Sequence, residues 1–220
     1  MTIKPRSVLM AAAVVFAASL SACVPLMLGG AAAVGAMVIV DRRSSGAQLE
    51  DEGIELRAAS RLRDALADSA HVNVTSYNRQ VLLTGEVPNE QAKQTTEQVV
   101  SRVPNVKSIV NELAVQGNTN MGERSRDVLV TGKIRASLVD AKDLFAGAFK
   151  VVTERGTVHL MGRVTQREAE RATAIARTVS GVQRVVRIFE IISEEELQRM
   201  APQQARPAAL PASAASATKP

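Results

Sequence analysis

The hydrophobic positions between residues 47 and 115 change their period along the chain, and these changes predict elements in the order α-β-β-α-β. Leucines and alanines between Leu56 and Leu66 are spaced for one face of a helix. Apolar residues then alternate with polar ones on either side of Asn78-Arg79, which predicts a hairpin. Asn89 precedes a second amphipathic helix, and the alternation returns over residues 106–115 as a closing strand.

The same succession of periods returns between residues 124 and 194. Val81–Val87 aligns with Val158–Val164, and both segments end in apolar-x-Gly-x-Val. The predicted elements of the second copy are a helix over Val128–Val139 with Val130, Ile134 and Leu138 spaced by four, strands over Phe149–Thr153 and Thr157–Val164, a helix over Gln166–Val179 and a strand over Val182–Ile192. The repeat predicts an α+β fold of two tandem domains, each with a small three-stranded sheet backed by two helices.

The predicted domains span residues 47–115 and 124–194, and a Gly- and Asn-rich linker at 116–123 separates them. Each domain is close to the lower size limit for an independent core, so we expect the two to pack together. The chain has no Trp, one Tyr and four Phe. The cores must therefore be filled by Val, Leu, Ile and Ala.

The N-terminus has the charged, apolar and small-residue order of a secretory signal over residues 1–22. Its end, Leu20-Ser21-Ala22-Cys23, resembles the lipobox read by signal peptidase II, which implies cleavage before Cys23 and attachment of diacylglyceryl and N-acyl chains such as palmitate to that residue. An uncleaved membrane anchor is the alternative, but the apolar run is shorter than the ~20 residues that a span needs. Since Cys23 is the only Cys, no disulfide within the chain is possible.

Residues 23–46 are predicted to form a flexible tether. Its uncharged part, Val24–Val40, approaches the length of a membrane span, yet three glycines make it a poor helix, and we favour a position at the membrane surface over insertion. Val24 follows Cys23 where an Asp would retain the protein at the inner membrane, which implies sorting to the outer membrane. The tail, residues 195–220, is rich in Pro, Ala and Ser from Pro202 onward and is predicted to be disordered.

Catalytic motifs are not recognisable in the sequence. His71 and His159 stand at unequal points of the two repeats, without a triad, metal-ligand spacing or phosphate loop around them, which favours structural or surface roles. The carboxylate runs Glu50-Asp51-Glu52 and Glu194-Glu195-Glu196 are typical of solvated helix ends. Gly85 and Gly162 are expected to mark close packing between a strand and a helix. These observations argue against an enzyme and against a metal ion or a cofactor other than the lipid on Cys23.

The charge is distributed unequally between the domains. Residues 47–115 hold seven Lys and Arg against ten Asp and Glu, a balance of −3, whereas residues 124–195 hold thirteen against nine, a balance of +4. The second domain is therefore the one suited to an anionic membrane surface, where each basic group contributes about 1 kcal/mol. Nucleic acid is an improbable partner for an exported protein, and the aromatic residues that stack on bases are absent from the basic segments.

Two faces of the second domain compete for this role. The first helix joins charged and apolar side chains, as a helix at a membrane interface requires. Its candidate phospholipid-binding residues are Arg124, Arg126, Val128, Leu129, Lys133 and Arg135. The second helix carries Arg163, Arg167, Arg171 and Arg177, but Glu168 and Glu170 interrupt them and favour intrahelical pairs. We favour the first helix.

The order of elements, the Gly-x-Val hairpins and the Val-x-x-Val segments at Val103–Val106 and Val179–Val182 resemble the BON domain. Two such domains behind a lipobox resemble the dual-BON outer-membrane lipoproteins. This resemblance implies a non-enzymatic protein on the periplasmic side of the outer membrane that supports the envelope under stress and binds anionic phospholipid through its second domain. Family members carry a Trp where this chain has Val128-Leu129, which leaves Leu129 as the residue that could insert.

A second hypothesis is a protein-interaction adaptor. Exposed strand edges or the acidic first domain would then dock on an outer-membrane assembly or division complex, and a basic partner surface would suit the acidic domain. Salt-sensitive binding to acidic liposomes distinguishes the two hypotheses.

Overall fold

A computed structural model describes residues 41–66, 70–117 and 119–200. The predictions for the signal peptide, for Cys23, for the tether up to residue 40 and for the tail from residue 201 lie outside the described residues. Every helix within the described ranges is too short or too polar to cross a lipid bilayer.

Both domains have the predicted order of elements. The first domain consists of α1 (Ser45–Leu66), β1 (His71–Tyr77), β2 (Gln80–Val87), α2 (Glu90–Ser101), β3 (Ser108–Asn111) and β4 (Ala114–Val115). The second consists of α3 (Met121–Asp140), a 3-10 turn (Ala146–Ala148), β5 (Phe149–Glu154), β6 (Thr157–Val164), α4 (Gln166–Thr178) and β7 (Arg184–Ile191). The α+β prediction is thereby confirmed.

Each sheet is mixed, because a hairpin supplies two antiparallel strands and the closing strand returns parallel to the second of them. The strand orders are β1-β2-β3, with β4 also on β2, and β5-β6-β7. The first sheet has four strands instead of the predicted three. Its closing strand is interrupted at Glu112 and Leu113, where Leu113 turns into the core.

Tight two-residue turns close both hairpins. The predicted turn at Asn78-Arg79 has φ of 50° and 68°, and the matching turn at Arg155-Gly156 has φ of 54° and 70°. Consecutive positive φ values are those of a type I′ turn, whose twist matches that of the flanking strands.

The first helix of each domain lays a row of side chains four residues apart on its sheet. In α3 this row is Val130, Ile134 and Leu138, as predicted. In α1 it is Ile54, Ala58 and Leu62, whereas Leu56, predicted to face the core, is 73% exposed. Two residues along a helix turn the side chain by about 200°, so Leu56 lies opposite the row that begins at Ile54.

The uncovered faces of the two sheets pack against each other, as the small size of each domain led us to expect. Tyr77 and Leu82 of the first domain form a buried cluster with Met161 and Ile188 of the second. The Tyr77 hydroxyl donates to the carbonyl of Ala148 over 3.4 Å. The two domains thus share a third core between their sheets.

Two glycines allow a close backbone approach, but to the start of β1 and to the 3-10 turn before β5 rather than to the predicted helix. A Cβ on Gly85 would lie 2.0 Å from the carbonyl oxygen of His71, and a Cβ on Gly162 would lie 2.3 Å from that of Ala148. Gly85 also has a φ of +110°, which an L side chain rarely adopts.

The chain continues past β7 as a short helix, α5 (Glu194–Met200), where the sequence predicted disorder from residue 195. Three glutamates in its first turn suit the positive end of the helix dipole. Ser193 accepts from the backbone N–H of Glu196 over 3.2 Å, and Glu196 pairs with Arg163 over 2.7 Å. This cap and ion pair explain the extra helix.

Candidate functional site

The orientation of helix α3 about its own axis is fixed by its N-terminal cap and by one buried carboxylate. Asn120 and Glu123 form a capping box at its start. Asp127 accepts from the backbone N–H groups of Arg155 and Gly156 over 2.6 and 2.9 Å, which ties the helix to the β5–β6 turn. With one side of α3 committed to the turn and the core, the opposite side faces solvent.

The outward side of α3 exposes large apolar residues. Val128 is 71% exposed and Leu129 is 64% exposed, and Met121 and Val139 are exposed at either end of the helix. Neighbouring apolar side chains on a surface are typical of a contact with a membrane or another protein. The structure thus leaves Val128 and Leu129 available, as their predicted role requires.

The predicted cations surround this apolar pair and have no acidic partners among the described residues. Arg126, Lys133 and Arg135 are exposed, and Arg124 is half-buried. Within the described ranges, none of the four forms an ion pair, and the only hydrogen bond among them runs from Arg135 to the carbonyl of Val151 over 3.4 Å. The described residues therefore provide no carboxylate that pairs with these cations.

The competing face on α4 differs in this respect. Arg163, predicted on the second helix, lies instead in β6 and pairs with Glu190 and Glu196 over 3.0 and 2.7 Å. Arg171 lies 3.1 Å from Asp143, and Arg167 lies 3.9 Å from Glu194. Three of the four arginines predicted for that face are thus paired with carboxylates, while Arg177 is exposed without an ion pair in the described part of the chain.

A groove of 490 Å³ runs between α3 and the edge strand β5, and Arg124 and Arg135 both line it. The Nε of Arg124 is buried and has no hydrogen-bond partner among the described residues. Glu154, on the opposite wall, accepts from Asn73 over 3.2 Å. Burial, followed by the nearby charge of Glu86, raises the pKa of Glu154.

The acidic run at the start of α1 is not simply a solvated helix end, because Asp51 is only 2% exposed. It accepts from the Ser76 hydroxyl over 2.6 Å and from the backbone N–H groups of Asn78 and Arg79 over 2.7 Å each. Burial raises its pKa, but these hydrogen bonds and the one from Arg43 outweigh burial and leave the pKa below its usual value. Sequence reasoning missed that Asp51 and Asp127 occupy the same place in the repeat.

The histidines belong to the packing of the domains. His159 is 2% exposed and lies between the sheets, with Nε2 3.7 Å from a carboxylate oxygen of Glu112. Burial lowers its pKa, which favours the neutral ring. His71 Nδ1 lies 3.1 Å from Glu86. No group of three His, Cys, Asp or Glu side chains within the described ranges is arranged for a metal ion.

Comparisons with known proteins agree with the repeat. The family model described as the BON domain matches residues 50–117 and again residues 126–192. The chain is 35% identical over 175 residues to the outer membrane lipoprotein DolP of Haemophilus influenzae, which covers 79% of this chain and 90% of that protein. It is 34% identical over 155 residues to a 21 kDa hemolysin of Actinobacillus pleuropneumoniae, covering 70% of this chain and 80% of the relative.

Among solved structures, a chain of CdsD from the type III secretion system of Chlamydia trachomatis aligns with 70% of this chain and 96% of its own length. The TM-score is 0.26 and the identity is 12%. The names of the two sequence relatives describe a lipoprotein and a hemolysin, and neither name describes an enzyme.

Proposed function

The chain belongs to the BON-domain family, and we propose that it is a non-enzymatic outer-membrane lipoprotein whose second domain binds anionic phospholipid through α3. In this proposal acyl chains on Cys23 anchor the protein, the two domains face the periplasm, and the protein supports envelope integrity under stress. The similarity to an outer membrane lipoprotein supports the location.

The observation that carries the proposal is the combination, on the outward side of α3, of exposed apolar residues and cations that form no ion pair with any described residue. Val128 and Leu129 can enter the boundary between headgroups and acyl chains while Arg126, Lys133 and Arg135 stay at headgroup level. Each basic group near an anionic surface contributes about 1 kcal/mol, so the cations provide modest affinity that adds to an acyl anchor. An ion pair within the protein would cancel this contribution, as it does on α4.

The last residues of the predicted flexible tether (23–46) are instead docked on both domains. Arg42 makes a bidentate pair with Glu168, with both distances 2.7 Å, and its guanidinium lies 5.8 Å from the centroid of Phe145 in the segment after α3. Arg43 pairs with Asp51 over 2.7 Å and lies over Tyr77 at 4.3 Å. The end of the tether therefore contacts the second domain at the segment after α3 and at the start of α4.

Vesicle binding tests the proposal with a matched control. We expect the chain from residue 24 onward to bind vesicles containing phosphatidylglycerol more tightly than phosphatidylcholine vesicles, and to bind less as salt is raised. The double variant K133Q/R135Q should bind phosphatidylglycerol vesicles roughly 30-fold more weakly, the factor expected for two lost basic groups. The control R167Q/R171Q removes two charges from paired arginines of the same domain and should change binding little.

Equal losses in the two double variants, or equal binding to both kinds of vesicle, would contradict the proposal. Circular dichroism and a thermal melt of each variant show whether the fold is retained. All four positions are exposed, so we expect melting temperatures close to that of the wild type.

A protein-docking function is the second candidate, and the outer side of α1 favours it. Leu49 and Leu56 are exposed and seven residues apart, which places them on the same side of the helix in the acidic first domain. Such a face suits a partner with apolar and basic groups. The vesicle experiment separates the candidates, because docking on a protein predicts no dependence on lipid composition.

A further inference from the structure

The first domain has a hydrogen-bonded carboxylate at the start of α1. Glu50 accepts from Arg57 over 2.7 Å and from Asn105 over 3.1 Å. Asn105, Arg57 and Arg79 all contribute to lowering the pKa of Glu50, with the hydrogen bond from Asn105 first. Arg79 belongs to the β1–β2 turn, and Asn105 belongs to the loop after α2. An anion therefore occupies the junction of helix, turn and loop.

The second domain has the opposite charge at the corresponding position. The buried rows of α1 and α3 align 76 residues apart, with Asp51 on Asp127 and Ile54 on Val130. The same shift places Arg126 where the first domain has Glu50. It also places Gly181 on Asn105, so the second domain has no side-chain amide at that position. Arg155 matches Asn78 as the first residue of the hairpin turn.

The result is a cavity of 340 Å³ beside α3, lined by Arg126, Arg155, Gly181 and Gln183. The Nη1 of Arg155 is buried and has no hydrogen-bond partner in the described part of the chain. Buried guanidinium N–H groups are donors only and need an acceptor. Arg126 likewise has no ion pair among the described residues.

The acidic residues at this cavity already accept hydrogen bonds from backbone N–H groups. Asp127 accepts from the backbone N–H groups of Arg155 and Gly156. Glu123 accepts from the backbone N–H of Asn120 over 3.2 Å as part of the capping box. The cavity is thus lined by two arginines and two carboxylates, and neither carboxylate forms an ion pair with an arginine among the described residues. The guanidinium N–H donors are left for an external anion.

We infer that this cavity binds the phosphate group of an anionic lipid headgroup, with Arg126 and Arg155 as its ligands. The inference rests on the proposed function, because α3 must lie at the membrane for a headgroup to reach the cavity. Guanidinium groups suit phosphate oxygens, since their paired N–H donors match the spacing of those oxygens. Arg126 and Leu129 are three residues apart on α3, so the cavity lies at headgroup level when Leu129 enters the membrane.

Binding of phosphatidylglycerol micelles to the ¹⁵N-labelled chain from residue 24 onward, followed by amide chemical shifts, tests the inference. We expect shifts at Arg155, Gly156 and Gly181. R155Q should weaken binding about fivefold, whereas R79Q, the same change at the arginine of the first domain's hairpin turn, should have no effect. R126E restores the carboxylate that the first domain has and should abolish the shifts at Arg155.

Inorganic phosphate alone, titrated into the same sample, distinguishes a headgroup from a free ion. Shifts at these amides with phosphate but none with micelles would assign the cavity to free phosphate and overturn the headgroup inference. If micelles bind with the expected salt dependence but R155Q behaves like R79Q, the cavity is not a phosphate site and the proposed function of α3 stands. If the wild-type chain does not bind micelles at all, the proposed function itself fails.

Because Arg155 has a positive φ, R155Q could disturb the turn, and R126Q on the helix provides a second variant without that risk. R126Q should also weaken micelle binding about fivefold and reduce the shift at Arg155. Unchanged binding in R126Q, with a wild-type spectrum in the absence of micelles, would overturn the inference.

Discussion

The first helices of the two domains are the same on the inside and different on the outside. Both bury an aspartate that accepts from the hairpin turn, followed by apolar residues three, seven and eleven positions later. The outward positions diverge. Arg124, Arg126, Val128, Leu129, Lys133 and Arg135 of α3 correspond to Gln48, Glu50, Glu52, Gly53, Arg57 and Ala59 of α1.

This difference separates what the fold requires from what a surface can vary. Six outward positions have four cations in α3, but two carboxylates and one cation in α1. The buried positions cannot change in the same way, because they must fill the space above each sheet. The repeat therefore provides one scaffold with two surfaces, one suited to anions and the other acidic.

The edges of the two hairpins differ as well. In the first domain, Glu55 accepts from the Ser76 N–H over 2.7 Å, and Lys150 of the second domain donates to the Ser76 carbonyl over 3.2 Å. In the second domain the corresponding residue, Thr153, bonds through its side chain to Thr131 over 2.8 Å. Side chains from both domains thus hydrogen-bond to the backbone at the edge of β1. The groove beside α3 lies along the corresponding edge strand, β5.

The largest expected loss of stability follows substitution of Gly85 or Gly162, the two glycines that permit close backbone approaches. Gly85→Ala should cost about 4 kcal/mol, because a methyl group would meet the His71 carbonyl and the residue has a positive φ. Gly162→Ala should cost about 2 kcal/mol, since only the contact with the Ala148 carbonyl is unfavourable. Urea unfolding of both variants measures these losses, and an equal loss would mean that the positive φ of Gly85 contributes nothing.

Substitution of the buried aspartates should cause the next-largest loss of stability. Asp51→Asn should destabilise the protein by about 2 to 3 kcal/mol and Asp127→Asn by about 1 to 2 kcal/mol. Asp51 accepts from Ser76, Asn78, Arg79 and Arg43, whereas Asp127 accepts from two backbone N–H groups only. Glu52→Gln, on the exposed side of α1, is the control and should leave the urea midpoint unchanged. A larger loss for Asp127→Asn would reverse the ranking.

Acidification should produce a smaller, graded loss that arises in both domains. Burial raises the pKa values of Asp51 and Glu168, but hydrogen bonds lower them by more, so both pKa values lie below their usual range. The main donors are Ser76 for Asp51 and Arg42 for Glu168. Since the folded pKa values lie below the unfolded values of about 4, the stabilisation is complete above pH ~4 and is lost as the pH falls through the folded values.

Urea midpoints at pH 6 and pH 3 measure this effect. We expect a lower midpoint at pH 3, and a smaller difference between the two pH values in Asp51→Asn, which has no carboxylate to protonate at that position. A variant with the full wild-type pH dependence would show that Asp51 does not contribute to it.

Local pattern was sufficient to predict most of the elements. The strand at Thr157–Val164 was predicted with its observed bounds, and the helix predicted over Gln166–Val179 ends one residue earlier, at Thr178. Leu56 was misassigned because leucine spacing alone did not show which of two apolar rows of α1 faces the sheet. The interruption at Leu113 was missed because a regular alternation of apolar residues hides a residue that leaves the strand.

The sequence by itself determined the repeat, the α-β-β-α-β order, the family resemblance and the helix with the candidate lipid-binding residues, because these depend on residues close together in the chain. Only the tertiary structure decided which cations are free, since ion pairs such as Arg163 with Glu196 join residues far apart in the sequence. It also decided that Asp51 is buried and that Arg126 and Arg155 line one cavity. Charge and burial at these positions depend on which elements meet in space, and periodicity along the chain does not contain that information.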